Sequence, residues 1–344
     1  MPRTVPALAC LALGTTLLAA CSGGSSAPQP SPRVTSASPS PSPSPVSVAT
    51  CPLTGVPAKP GQKVHRVALA VKIDNVDEAR PQSGLERADL VVEETVEGGL
   101  TRLFAVFQCS SAPTVGPIRS ARTSDGDLLR LLDGAVFAYS GANPKAIAPV
   151  AATSKAVLIA YDSLPQYFHR DPSRPAPHNV YSSTATLLAA GLARNHKLDA
   201  PPPVFSYGQP AHRGQRARSV ALKWPAASAA WSWNGKVWQR TQNGSADTVT
   251  GGTRVSADNV VVMSIAVKST GLHDVLGNAS PDDVVTGSGK VWVFRDGRVI
   301  RGTWSRPDRT KPMRLTDSHG KLLLLTPGQT WIELLPRPGK PTIS

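Results

Sequence analysis

The chain of 344 residues contains no uninterrupted apolar run of the roughly 20 residues that a membrane-spanning helix needs. Its longest apolar stretch, Val5 to Leu18, is broken by Pro6, Gly14 and two threonines. It also lacks the glycine fingerprints that cradle phosphates or dinucleotides and the G-x-S-x-G elbow of a serine hydrolase, so the commonest nucleotide and esterase chemistries are excluded. Cysteine is scarce, four in all, and no pair has the short spacing of a zinc site. Aromatics make up 5% and acidic residues number only 23 against 37 Lys plus Arg. Proline and glycine are plentiful, 33 and 28, and this composition suits strands, turns and linkers and excludes a coiled coil. No metal and no cofactor is called for.

The N-terminus explains several of these features. Residues 1–20 pair Arg3 with the short apolar run and end in small residues, a secretory signal pattern. The string LAAC at 18–21 resembles the lipobox of bacterial lipoproteins, which implies cleavage before Cys21 and a diacylglycerol on its thiol. Several acyl chains on one residue, at about 0.8 kcal/mol per buried CH₂, make a stable anchor. Residues 21–50 follow with Arg33 as their one charge and an alternating Ser-Pro tract at 38–45. Such a stretch has too little apolar area to fold and reads as a disordered stalk, extended to at most roughly 90 Å. Cys10 leaves with the signal, so Cys51 and Cys109 remain, and an oxidising compartment makes them a candidate disulfide. The implied location is the extracytoplasmic face of the cell membrane, which argues against nucleic acid as a partner.

Beyond the stalk, two halves differ in pattern. Residues 51–200 alternate short apolar runs with helical spacing. Strands are predicted at 65–74, 88–96 and 101–109, the last two joined at Gly98 and Gly99, with a helix at 122–134 capped by Ser124 or Asp125. A second helix is predicted around 182–194. A junction at 201–218 leads into residues 219–344, where hairpin signals dominate: Asn234-Gly235 and Asp296-Gly297 each sit between aromatic-rich runs. The predicted fold is α+β, a mixed α/β N-terminal domain followed by a mostly antiparallel β C-terminal domain. Residues 201–344 carry 19 basic and 9 acidic side chains, so the C-terminal half holds most of the excess positive charge. An exported basic module suits anionic headgroups, wall polymers or peptidoglycan carboxylates as partners, or serves solubility alone.

Several polar groups fall at predicted strand ends and turns: Asp74 and Asn75, Arg80 and Gln82, Glu93, Glu97 and Arg102, Arg119, Ser120 and Arg122, and Arg174, His178 and Asn179. The strings that carry them, CPLTGVP from Cys51, AVKIDNVDEARPQSGLERADLVVEETVEGGLTRLFAVFQ from Ala70, VGPIRSAR from Val115 and RPAPHNVY from Arg174, together with GTW and PGQTWIELLP near the end, resemble the YerB-like family of bacterial lipoproteins. The resemblance spans roughly residues 51–338. It implies an N-terminal α/β-type part, a C-terminal part and envelope location. The family is one of unknown function, so it implies no activity and no catalytic residue. Lys72 stands where the family leads one to expect an apolar residue such as Met, which implies a strand position tolerant of exposure.

Two functional readings follow. In the first, arginine forks at 80, 102, 119, 122, 170 and 174 converge on a carboxylate- or phosphate-bearing wall polymer, peptide stem or envelope protein, with the acids holding them in place. An internal salt-bridge network that merely fixes the fold uses the same residues. In the second, Glu93 and Glu97, four apart on one strand and so on one face, act as the acid and base of a wall-glycan hydrolase, which needs carboxyl groups roughly 5 to 10 Å apart. Ser120 is expected to cap backbone, and His169 and His178 to be structural in a proline-rich loop. Trp231, Trp233, Trp238, Trp292, Trp304 and Trp331 either stack on sugars or pack across strands.

Overall fold

The computed structural model describes residues 49–209 and 213–344. The signal segment, Cys21 and all but the end of the stalk lie outside the described residues. The predicted N-terminal strands form as β1 (Leu69–Asp74), β2 (Leu90–Thr95) and β3 (Thr101–Phe107), followed by β4 (Val136–Tyr139) and β5 (Val157–Ala160). The turn between β2 and β3 uses Gly98 and Gly99 at φ 68° and 73°, where a side chain is strained, and a Cβ on Gly99 would meet Pro225 at 2.5 Å.

A twelve-stranded sheet runs through both halves of the chain. From one edge its main path is Arg314–Asp317, Arg298–Arg306, Gly287–Arg295, Asn259–His273, Thr330–Pro336, β2, β3, β1, β4, β5, with Ala279–Val284 paired to Asn259–His273 and Gln215–Arg216 to Arg298–Arg306 off that path. The seam lies at Thr330–Pro336, which pairs in parallel with β2 on one side and with Asn259–His273 on the other. β3 is antiparallel to both β1 and β2, whereas β1, β4 and β5 run parallel. A six-stranded sheet built around Ser219–Lys223, Ser228–Trp233 and Trp238–Gln242 packs against one face, and this hairpin turns at Asn234-Gly235 as predicted. The α+β class holds, with a mixed sheet in the first half and antiparallel pairing dominant in the second.

Both faces of the main sheet are covered, which is why β1 and β2 are buried at every position. Leu69, Val71 and Ile73 face the tryptophan-rich small sheet and helix α3 (Thr184–Leu192), whereas Ala70 faces helix α1 (Asp125–Leu129). Helix α3 approaches β4 so closely that a Cβ on Gly191 would lie 2.2 Å from Val136. Trp231, Trp238, Trp304 and Trp331 are fully buried, and Trp233 pairs directly across from Trp238. Packing therefore explains these tryptophans, and the four buried ones are closed to sugar rings. Cys51 and Cys109 are bonded, tying the start of the folded chain to the segment after β3.

Two local expectations are corrected and one helix is added. Lys72 is fully buried, because its position on β1 faces α1, and its ammonium pairs with Glu94 and Asp125. Ser124 does not cap α1, since its hydroxyl bonds Glu94; Asp125 instead accepts the Arg122 amide at 2.6 Å. Helix α2 (Pro144–Thr153), capped by the Asn143 side chain on the Lys145 amide at 2.9 Å, was absent from the pattern reading.

Candidate functional site

Strands β1 and β4 are parallel and hydrogen-bonded only at their starts; beyond Val71 and Ala138 the segment Gly116–Arg122 is wedged between them. The Arg119 amide bonds the Lys72 carbonyl at 2.9 Å, and the Arg119 carbonyl takes the Ser140 amide at 3.0 Å. The wedge opens a cleft of about 790 Å³ at the carboxyl ends of these strands, the place where open α/β sheets commonly bind ligands. Of the residues singled out in the sequence, Asp74, Glu97, Arg102, Arg119, Ser120, Arg122 and His178 line it.

Asp74, the last residue of β1, is the organising group. One carboxylate oxygen, Oδ2, accepts Arg119 Nε at 2.9 Å and lies 2.8 Å from His178 Nδ1. A carboxylate facing Nδ1 favours the proton there, which leaves Nε2 as the free ring nitrogen. The other oxygen accepts the Asn75 amide at 3.0 Å. Arg102, opposite Asp74 in the β1–β3 register, donates Nη1 to the Ser120 carbonyl at 3.1 Å, while its buried Nε has no partner. Burial and the neighbouring Arg122 guanidinium push Arg102 down to about 9, so it remains a cation at neutral pH. Arg122 is fully engaged, by Glu97 and by the carbonyls of Ala121 and Ser120. Burial raises the Glu97 carboxyl, but the Arg122 guanidinium and the Ser280 hydroxyl at 2.6 Å outweigh it, and its pKa falls below the ordinary range. Among the described residues, neither Nη of Arg119 has a partner. The cleft thus presents guanidinium donors whose hydrogen bonds are not all used.

The remaining candidates lie elsewhere. Glu93 faces the small sheet, where its carboxylate takes Asn75 Nδ2 at 3.0 Å, the Thr101 hydroxyl at 2.7 Å and the Arg240 guanidinium. Gln82 ties into this group through the Asp74 carbonyl and the Asn75 side chain, at 3.1 and 3.2 Å. Strand β2 ends at Thr95, so the expected alternation does not carry on to Glu97. The two glutamates share no partner, and Glu93 is fully closed to solvent; they do not form the acid and base of a hydrolase. Arg174 fastens its loop to the Asp77–Pro81 turn through the carbonyls of Ala79 and Pro81, at 3.1 and 2.7 Å. Asn179 takes Arg170 Nη1 at 2.5 Å, and Arg80 pairs with Asp77. These residues shape the wall that carries His178.

Sequence reasoning missed Arg240, Asp247 and Glu333, a buried cluster behind Asp74 in which Arg240 bonds both Glu93 and Asp247 and lies 4.9 Å from the Trp331 ring. Burial and the Glu93 charge push the Glu333 carboxyl well above its ordinary value. The signal was available in the alternation of Trp238, Arg240 and Gln242, all on the inward face. Also missed were Val275 and Leu276, two apolar residues within a turn, which line the mouth of the cleft.

Comparison with known proteins places this architecture. Residues 53–197 match the model described as protein of unknown function (DUF3048) N-terminal domain, and residues 220–332 match the corresponding C-terminal domain. The chain is 30% identical over 292 residues to a Bacillus subtilis (strain 168) protein described as "Putative lipoprotein YerB", covering 83% of this chain and 86% of the relative. The crystal structure of YerB from Bacillus subtilis superposes with a TM-score of 0.73 at 25% identity, over 86% of this chain and 99% of that one.

Proposed function

The chain belongs to the DUF3048 family, whose two domains together match most of its length, and from that premise we propose that it is a lipid-anchored extracytoplasmic protein that binds an anionic envelope component in the cleft at Arg119. The observation that carries this reading is the convergence of Arg102 and Arg119 on one open cleft with guanidinium donors left unused. Guanidinium forks held by a carboxylate beneath them are suited to bidentate recognition of phosphate or carboxylate. The depressed Arg102 pKa fits the same reading, since burial and two neighbouring arginines disfavour its charge, and an incoming anion offsets that cost. The lipid on Cys21 and the stalk hold the cleft within reach of wall polymers, peptidoglycan and envelope proteins, and no nucleic acid is involved.

The test uses the full chain in detergent, mixed with purified wall material. Retention that weakens as salt rises, and that falls at least tenfold in Arg119→Ala, is the expected result. Equal retention by wild type and variant overturns the assignment of the cleft. A second reading, hydrolysis of a wall component, draws on one observation only: the Asp74–His178 pair has the geometry that orients an imidazole for proton transfer. Turnover of the wall material that is lost in His178→Gln would support it.

A further inference from the structure

Six large apolar residues among those described are more than a third exposed, and three of them, Leu100, Val275 and Leu276, line the same arginine-bearing cleft. Val275 and Leu276 are the extreme cases, at 102% and 82% exposure. They sit at the tip of an arm. The strand Asn259–His273 is buried over its first seven residues and then leaves the sheet core, accompanied by Ala279–Val284. The arm is fixed beside the cleft at two points: Asp283 accepts the Thr95 amide at 2.8 Å, and Ser280, next to the tip turn, donates to Glu97. Its tip is held by Asp274, whose carboxylate accepts the amides of Leu276 and Asn278 at 2.9 and 2.8 Å. Two apolar side chains held wholly in water at the rim of a charged cleft are unfavourable unless a ligand covers them.

We propose that the cleft binds an amphiphilic phosphate, its head on Arg102 and Arg119 and its aliphatic chain against Leu100, Val275 and Leu276. This rests on the anion-binding reading above and adds the chemical class. Arg102 and Arg119 reach the cleft from two different segments, each with guanidinium donors unused, an arrangement matched by a phosphate head with several acceptor oxygens. The apolar lip is of no use to a purely polar polymer such as a bare polyanion, and it accounts for a ligand with a hydrocarbon part.

The experiment holds the full chain in neutral phosphatidylcholine nanodiscs, with empty nanodiscs as reference, and titrates inorganic phosphate, butyl phosphate and hexyl phosphate by calorimetry. Each fully buried methylene is worth about fourfold in affinity. Partial cover at an open lip therefore predicts at least a tenfold gain from phosphate to hexyl phosphate. The double variant Val275→Ser, Leu276→Ser keeps its affinity for inorganic phosphate and loses the dependence on chain length. Equal affinity for phosphate and hexyl phosphate in the wild type overturns the proposal while leaving the anion site in place, as does a chain-length gain that survives in the double variant. Failure of the wild type to bind any of the three probes overturns the anion-binding reading along with it.

Discussion

Replacing Lys72 by methionine separates two views of this position, a tolerant strand site and a buried ionic one. The ammonium is fully enclosed and bonded to Glu94 and Asp125, whose carboxylates are equally buried. Burial pushes its pKa down to about 8 in spite of the Asp125 charge, so it is charged at neutral pH but held at some cost. Methionine has similar length and adds apolar contact, yet it leaves two carboxylates without their cation. Removing one partner of a buried pair costs about 3 to 5 kcal/mol, on the order of 10 °C in melting temperature for a domain of this size. Chemical denaturation at pH 7 measures the loss. The triple variant Lys72→Met, Glu94→Gln, Asp125→Asn, in which no orphaned charge remains, should recover most of it. A Lys72→Met protein as stable as wild type would refute the reasoning and restore the view of Lys72 as a tolerant site.

Burial pushes the Asp283 carboxyl up to about 7. Between about pH 4 and 7 the folded chain keeps a proton that the unfolded chain has released, so stability falls across that window, by at most about 4 kcal/mol. Asp283→Asn keeps an acceptor for the Thr95 amide, and urea midpoints should show it more stable than wild type at pH 8, with the difference shrinking toward pH 5; parallel pH profiles would count against this. Replacing Cys51 and Cys109 by serine opens a link across 58 positions and should lower stability by about 4 kcal/mol in the chain-entropy picture, measured as a shift in the guanidinium midpoint. Burial and the Glu93 charge disfavour an ionised Glu333, and glutamine keeps an acceptor for the Trp231 indole, so Glu333→Gln should change stability by less than about 1 kcal/mol at pH 7. Arg240→Met, which strands the Glu93 and Asp247 carboxylates, should cost about 3 to 5 kcal/mol by the same denaturation assay.

Local pattern was a reliable guide where local physics decides. The hairpins at Gly98-Gly99, Asn234-Gly235 and Asp296-Gly297 were legible because a tight turn needs positive φ, and glycine supplies it. Helix α2 was not legible, since Asn143-Pro144 reads as a turn and Pro149 as a breaker. Pro144 instead takes the first helical position, where its missing N–H is harmless. The list of polar residues at strand ends was a mixture of three populations. Asp74, Arg102, Arg119 and His178 belong to the cleft; Asn75, Gln82 and Glu93 to a buried network; and Arg80, Arg174 and Asn179 to the loop wall. One-dimensional spacing cannot sort them, because partners such as Arg240 lie 147 positions from Glu93.

By itself the sequence determined the composition of the N-terminal segment, the strand-and-turn character of both halves, the candidate cysteine pair and seven polar residues of the cleft. These depend on composition, on periods of two or 3.6 residues, and on backbone conformations that glycine and proline favour. Only the tertiary structure decided that one sheet runs through both halves, that Lys72 is buried rather than exposed, that Glu93 and Glu97 part company, and that an arm brings Val275 and Leu276 to the cleft that holds the arginines. Each of these depends on which faces of distant strands are covered, and the free energy of a buried charge or an exposed apolar tip is set by neighbours that the chain supplies from far along its length.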